Sequence, residues 1–222
     1  SGAWSVLSGP AGGAVGAGSL ARAAGVEDVL GLDMGGTSCD VSVVEGGDVR
    51  RTDSREIDGR PIQLPMVDVH TVGAGGGSVA RVDASGLLQV GPQSAGARPG
   101  PICYGRGGAE PTITDANLVL GRLNPDKLLG VDHPVTLDHV RGLVLEKVGQ
   151  RLGLDAEAAA AAILRIANDR MAGAVRLVSL SRGHDPRDFA LFAFGGAGPL
   201  HATALARELG IPTVLVPVRP GI

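Results

Sequence analysis

The stretch Val29-Leu-Gly-Leu-Asp-Met-Gly-Gly-Thr-Ser-Cys-Asp-Val-Ser-Val-Val44 decides the fold. Val29 to Met34 is a short apolar run that reads as a buried strand, Gly35-Gly36 breaks it, and Val41, Val43 and Val44 form a second strand. Gly46-Gly47 turns the chain again and Val49 to Thr52 reads as a third strand, so a β-meander with tight glycine turns is expected. Asp33-Met-Gly-Gly-Thr-Ser-Cys-Asp40 is its sharpest chemical feature. A strand there ends in a carboxylate, two glycines turn, and two hydroxyls follow. Glycines let backbone N–H groups converge on phosphate oxygens, Thr37 and Ser38 add donors, and Asp33 can hold Mg²⁺ or orient a water. An ordinary hairpin turn with a solvated Asp is the competing reading, and this motif alone does not separate the two.

Upstream, Ser8 to Gly25 is rich in small residues, with Pro10 suited to a first helical turn, Ser8 or Gly9 to a cap and Gly25 to an end. Glycines at 12, 13, 16 and 18 weaken a helix by up to ~1 kcal/mol each, so such a helix is useful only where something approaches its backbone closely. Downstream, residues 57–113 are Gly/Pro-rich, with strand signals at Val67–Val72, Val79–Val82 and Leu87–Val90 and a long loop from Gly91 to Pro111. Thr114 is expected to cap a short helix through Leu120. A helix is expected over Leu137–Leu152, then a longer one capped by Asp155 and running to about Leu180, with Ile163, Leu164, Ala167, Met171, Val175 and Val178 on one face. Phe189–Phe194 reads as a buried strand, Leu200–Leu209 as a helix ended by Gly210, and Val214–Val216 as the last strand.

The strand at Phe194 runs into Gly195-Gly-Ala-Gly-Pro-Leu-His201, which offers close backbone approach and a helix N-terminus to an anion or a flat ring, or else a compact turn. Gly73-Ala-Gly-Gly-Gly-Ser78 has Ser78 where a dinucleotide fingerprint needs its third Gly. No Walker A motif is present, since neither Lys127 nor Lys147 follows a Gly. Asp68 and His70 share a strand face by period two and, with Asp115, are a weak metal-ligand set beside the reading of a buried polar pair. Cys103 reads as inert rather than reactive, Arg106 as a binder of carboxylate or phosphate, and His201 as a structural donor. His133, His139 and His184 read as surface or loop residues.

The net charge is -3 and aromatics are 2% of the residues, which leaves neither a basic footprint nor stacking platforms for nucleic acid. The core must then be built from Ala, Val, Leu and Ile. No apolar run approaches the ~20 residues that span a bilayer, and no signal peptide is visible. Two cysteines make neither a disulfide framework nor a zinc ribbon, so a reducing cytoplasm is the expected compartment. Both ends of the chain look cut, and it reads as a fragment of a larger protein.

The order of motifs, from glycine-rich helix through Asp-x-Gly-Gly-Thr turn to the later Gly-Gly-x-Gly, resembles one lobe of the actin, sugar kinase and chaperone ATPase superfamily. A closer resemblance rests on Leu7-Ser-Gly-Pro-Ala-Gly-Gly13, Asp33-Met-Gly-Gly-Thr37, Val69-His-Thr-Val-Gly-Ala-Gly-Gly-Gly-Ser78, Ser94-Ala-Gly-Ala-Arg-Pro-Gly-Pro101, Cys103-Tyr-Gly-Arg-Gly-Gly108, Thr114-Asp-Ala-Asn117 and Phe194-Gly-Gly-Ala-Gly-Pro-Leu-His-Ala202. Together they resemble the hydantoinase A/5-oxoprolinase family across almost the whole chain. Cys39 departs from it, standing where the family commonly has Thr, and the family's N-terminal region with the other phosphate hairpin is absent.

The resemblance implies an α/β fold, an actin-like (ribonuclease H-like) ATPase lobe with a mixed sheet and helices plus a Gly/Pro-rich β insertion. Residues 1–222 form the family domain, 1–56 and 131–222 the lobe, and 57–130 the insertion. It implies a hydrolase that uses ATP and Mg²⁺ to open a cyclic amide or imide of the 5-oxoproline or hydantoin type through a phosphorylated intermediate. The equivalent lobe of a ketone carboxylase and an inert isolated lobe are the alternatives. Asp33 falls to catalysis and metal, with His70 at the reaction centre. Gly35, Gly36, Thr37, Ser38 and Asp40 fall to phosphate, and Gly195, Gly196 and Gly198 to the adenosine side. Gly73, Gly75, Gly76, Gly77, Ser78 and Arg106 fall to the substrate. The implied partners are the absent N-terminal lobe and a hydantoinase B-type subunit or domain.

Overall fold

The computed structural model describes residues 8–52, 55–57, 60–62, 66–128, 131 and 135–221. The observed class is the expected mixed α/β. Backbone packing divides the chain into two compact units: residues 1–33, 40–72 and 172–222 form the first, and residues 34–39 and 73–171 the second. The helices over 137–171 go with the glycine-rich segment in the second unit. Leu7 and His133 lie outside the described residues, as does the side chain of Ser8, so their expected roles are not described either.

The first unit is organised by one six-stranded sheet. Helix α1 (Ser8–Ala23) leads into β1 (Val29–Met34), β2 (Cys39–Glu45) and β3 (Asp48–Val49). The sheet order is β12-β11-β1-β2-β3, with β8 (Val69–Val72) also paired to β2, where β11 is Ala190–Phe194 and β12 is Thr213–Leu215. β11 runs parallel to both β1 and β12, while β2 and β3 are antiparallel, so the sheet is mixed. The strands β1 and β11 are buried nearly end to end, which is why both read as continuous apolar runs rather than alternating ones.

The expected third strand, Val49–Thr52, is broken at Arg50. Its first half pairs with β2, whereas β4 (Arg51–Thr52) pairs with β7 (Met66–Val67). A separate hairpin joins β5 (Arg55–Ile57) and β6 (Arg60–Ile62). The expected strand Val67–Val72 divides at Asp68, whose amide donates to the Arg50 carbonyl at 2.9 Å.

Small residues let α1 lie close to the sheet. Ala17 and Ala21 pack with Val29, Val44, Ala190 and Phe192, and Phe194 and Leu215 close the edge of that cluster. A Cβ on Gly13 would come 2.7 Å from a Phe194 ring carbon, and one on Gly18 would come 3.2 Å from Val44. Gly9, Gly12 and Gly16 have nothing within 4 Å on the same test, so only part of the glycine content serves this approach.

In the second unit, β9 (Ser78–Val82) and β10 (Leu88–Ser94) form an antiparallel hairpin, so the expected loop from Gly91 starts as strand. Its turn is built by Asp83, which accepts from the Ser85 and Leu87 amides, the Ser85 hydroxyl and Gln89. Helix α2 is Ile113–Val119; its cap is Thr112, not Thr114. Thr112 and Asp115 make a capping box, and that spacing, not the nearest hydroxyl, is what a helix start requires. Helix α3 (Leu137–Val144) continues through a wider turn at Leu145–Gly149 into α4 (Gln150–Leu152). Gly149 fits that turn because a Cβ there would press on the Leu154 carbonyl at 2.7 Å. Helix α5 (Ala156–Leu180) starts at Asp155 as expected, with Asp155 accepting from the Ala158 amide at 2.7 Å, and its six expected apolar residues are all buried. Helix α6 (Gly198–Leu209) begins two residues earlier than expected and ends at Gly210.

Two adjacent glycines of α1 should therefore respond oppositely to a methyl group. Gly12→Ala is expected to stabilise the fold by up to about 1 kcal/mol through helix propensity. Gly13→Ala is expected to destabilise it by about 1–3 kcal/mol because the Phe194 ring must move. Urea denaturation of the two variants checks the contrast.

Candidate functional site

The turn after β1 is held from beneath by the Gly73–Ser78 segment, both within the second unit. The Gly35 amide donates to the Ser38 carbonyl at 3.0 Å and closes the turn. The Gly76 amide donates to the Gly35 carbonyl at 2.9 Å and the Gly77 amide to the Gly36 carbonyl at 2.6 Å. A Cβ on Gly75 would sit inside 3.0 Å of backbone atoms of Gly36 and Thr37, and one on Gly77 would sit 2.9 Å from the Gly36 carbonyl. Glycine is thus required at both positions by close backbone approach.

The carbonyls of Gly35 and Gly36 are engaged, yet the amides of Gly36, Thr37 and Ser38 make no hydrogen bond among the described residues. Gly36 and Thr37 are exposed, and neither Gly35 nor Gly36 has any atom within 4 Å of where a Cβ would stand. Adjacent unbonded amides on a fixed turn, with room beside them, are suited to a phosphate-like anion. Ser78 is buried; its hydroxyl accepts from the Gly75 amide at 2.9 Å, so it shapes the glycine loop from inside.

In the first unit, the carboxylates of Asp33 and Asp40 interact. Partial burial, and then the charge of Asp40, hold Asp33 above its ordinary value of 3.8. A Cβ on Gly13 would stand 3.3 Å from an Asp33 oxygen, so α1 leaves that carboxylate space by carrying Gly there. Asp40 accepts from the Thr71 hydroxyl at 2.5 Å. A divalent cation would relieve the partly buried Asp33 carboxylate, which resists ionisation beside the charge of Asp40, so these two side chains could hold Mg²⁺.

Sequence reading singled out His70 and missed its neighbour Thr71. Successive residues of a strand face opposite ways. Thr71 meets Asp40, whereas His70 lines a cavity of about 300 Å³ with Asp68, Leu177, Val178, Ser181 and Arg182. Asp68 in that cavity is ion-paired with Arg182, which also donates to the Val178 carbonyl. The weak metal set of Asp68, His70 and Asp115 is not formed: among the described residues no three His, Cys, Asp or Glu side chains gather. Asp115 is instead a buried structural acceptor, taking the amides of Thr112, Ile102 and Cys103. Burial and the charge of Asp115 push the Cys103 thiol far up, which makes it inert.

Arg106 is partly buried, stacked over Tyr104 at 5.9 Å and donating to the Ala97 carbonyl at 3.3 Å. Gly195 has φ of +81° and donates its amide to Pro220 at 2.6 Å, Gly196 is exposed, and Gly198 is buried at the start of α6. Ala197, the residue before α6, makes no side-chain cap, and His201 is fully buried. His184 is less exposed than expected; it contacts Glu45 at 3.5 Å and packs edge-on to Phe189. Among the described residues no helix is long and apolar enough to cross a membrane.

A profile of the family described as hydantoinase/oxoprolinase matches residues 3–222. Caprolactamase subunit alpha of Pseudomonas jessenii is 45% identical over 89% of this chain, which spans 28% of that protein. The 5-oxoprolinase 1 of Arabidopsis thaliana is 40% identical over 97% of this chain, which spans 18% of it. A nucleotide-free structure of acetone carboxylase, reported with a mechanism of ATP-dependent acetone carboxylation, superposes with a TM-score of 0.88 at 33% identity, over 97% of this chain and 30% of that one. The chain thus spans less than a third of each.

The raised proton affinity of Asp33 has a signed consequence. The folded protein holds this proton to higher pH than the unfolded chain, so the ionised group costs stability as pH rises above 3.8. Asp33→Asn should therefore be more stable than the wild type at neutral pH, with the difference closing as pH falls below 3.8. Urea midpoints across the acid range check this; a variant less stable at neutral pH contradicts it.

Proposed function

The chain belongs to the hydantoinase/oxoprolinase family, and on that premise we propose that it is the phosphate-holding lobe of an ATP-dependent hydrolase that opens a cyclic amide or imide of the 5-oxoproline, hydantoin or lactam type. The observation that carries the reading is the Gly35–Ser38 turn, anchored through its carbonyls while three successive amides stay unbonded among the described residues. ATP, when bound, would supply a phosphoryl group to the amide oxygen and leave as ADP; water would add at that carbon, the ring C–N bond would break as the nitrogen takes a proton, and a second water would release phosphate from the acyl phosphate, with Mg²⁺ balancing the charge.

In this reading the amides of Gly36, Thr37 and Ser38, with the Thr37 and Ser38 hydroxyls, bind the phosphate oxygens. Asp33 holds Mg²⁺ or orients the attacking water, and Asp40, steadied by Thr71, sets the charge beside it. Gly195, Gly196 and Gly198 take the adenosine side, where a glycine turn opens α6. Arg106 and the Gly73–Ser78 loop are assigned to the substrate side, with the buried Gly75, Gly76, Gly77 and Ser78 acting through the backbone they support rather than by direct contact. His70 keeps its assignment to the reaction centre only if the substrate reaches the cavity it shares with Arg182. The partners are the N-terminal lobe and a hydantoinase B-type subunit or domain. Cys39 and Cys103 are buried thiols that are not joined in a disulfide, and a reducing cytoplasm is the compartment that goes with this reading.

A second reading, the equivalent lobe of a ketone carboxylase, is favoured by the superposition on acetone carboxylase. If both activate an oxygen by phosphorylation, the two readings share every residue role given above except the substrate's.

The test uses the full-length parent enzyme with Mg²⁺-ATP, titrated with 5-oxoproline, a hydantoin, a lactam, and a small ketone with bicarbonate while phosphate release is read. Stimulation by one cyclic amide is expected, and stimulation by ketone and bicarbonate alone would move the chain to the carboxylases. Asp33→Ala should abolish that release without unfolding the protein. Residues 1–222 alone should turn over ATP negligibly, and robust Mg²⁺-dependent turnover by them would contradict the two-lobe reading.

A further inference from the structure

We propose that Thr114 is a positioning residue for the Gly35–Ser38 turn: acting through Gly76, its hydroxyl sets the placement of the turn's amides and hence their affinity for the ATP phosphates. This rests on the phosphate role proposed above for that turn.

Thr114 donates twice to one carbonyl. Its hydroxyl and its amide each reach the Gly76 oxygen at 2.8 Å. The amide of Gly76 then donates to the Gly35 carbonyl at 2.9 Å. Gly76 therefore has Thr114 at its carbonyl and the turn at its amide, with no side chain between. The next residue repeats the link, since the Gly77 amide donates to Gly36 and the Gly77 carbonyl accepts from Ala95 at 2.8 Å.

The support behind Thr114 is rigid. Thr112 caps α2, and the fully buried Asp115 accepts from the Thr112 hydroxyl at 2.7 Å, the Thr112 amide at 2.9 Å and the Cys103 amide at 2.9 Å. Because Thr112 already serves the helix start, the Thr114 hydroxyl is not needed for it. The one hydrogen bond that hydroxyl makes among the described residues goes to Gly76. Donors aimed at phosphate oxygens lose most of their effect when displaced by a fraction of an ångström. Gly75 cannot compensate, because it already lies in backbone contact with the turn.

The experiment compares Thr114→Val and Thr114→Ser in the full-length enzyme. It reads the KM for ATP, the melting temperature and amide hydrogen exchange over residues 35–38 and 75–77. Loss of one hydrogen bond predicts a rise in KM of about fivefold in Thr114→Val. The Gly76 and Gly77 amides should exchange faster, and Thr114→Ser should restore both readouts. Thr114→Ala, which removes the hydroxyl without adding bulk, carries the same expectation should the Val variant fold poorly. An unchanged KM and exchange pattern overturns the proposal. So does a Ser variant as impaired as the Val variant, which would make the methyl group the cause.

Gly36→Val in parallel separates two kinds of failure. A wild-type KM there sinks the phosphate role of the turn and this proposal with it. A lost response in Gly36→Val beside a wild-type KM in Thr114→Val sinks only the role of Thr114.

Discussion

Backbone pressed on backbone, with no side chain between, is the constraint beneath the candidate site. Gly75 and Gly77 lie against Gly36 and Thr37 at distances that exclude a Cβ. The contact engages the carbonyls of the turn and leaves its amides unbonded among the described residues, which is a polarity of arrangement rather than of composition.

The same economy of volume appears in the first unit, where α1 reaches the sheet through Ala17 and Ala21, with Gly13 at the edge of Phe194 and beside Asp33. With only 2% aromatic residues, the core is made of thin layers, and elements come close enough for single atoms to decide which residue fits. The partly buried Asp33 shows the cost: its carboxylate resists ionisation where a hydrophobic residue would have been neutral.

Much of this was legible from pattern. β1 and β11 read correctly because each apolar run ends in a glycine pair, Gly35-Gly36 and Gly195-Gly196, and α5 because its apolar stripe follows a sound Asp155 cap. What escaped the sequence reading depended on three dimensions. Val49–Thr52 looks like one strand, and only the bonding of Arg50 to Asp68 divides it. Thr114 is the hydroxyl nearest the apolar run, but a capping box needs its acid three residues after the cap, and it is Thr112 and Asp115 that have this spacing. His70 drew attention as a titratable residue in a glycine-rich motif, and strand alternation then put Thr71, not His70, against Asp40. The glycine motif at 73–78 is plain in the sequence, but its use as a bed for a turn some forty residues earlier leaves no local mark.

A joint without side chains also has no side chains to vary. Substitution at Gly75 or Gly77 can break it but cannot adjust it by degrees. Any divergence that retunes the turn for a bulkier or differently charged substrate must therefore enter one layer out, at residues such as Thr114 or Ser94 that touch the glycine loop. Within this fold, the evolvable positions and the indispensable ones are different residues.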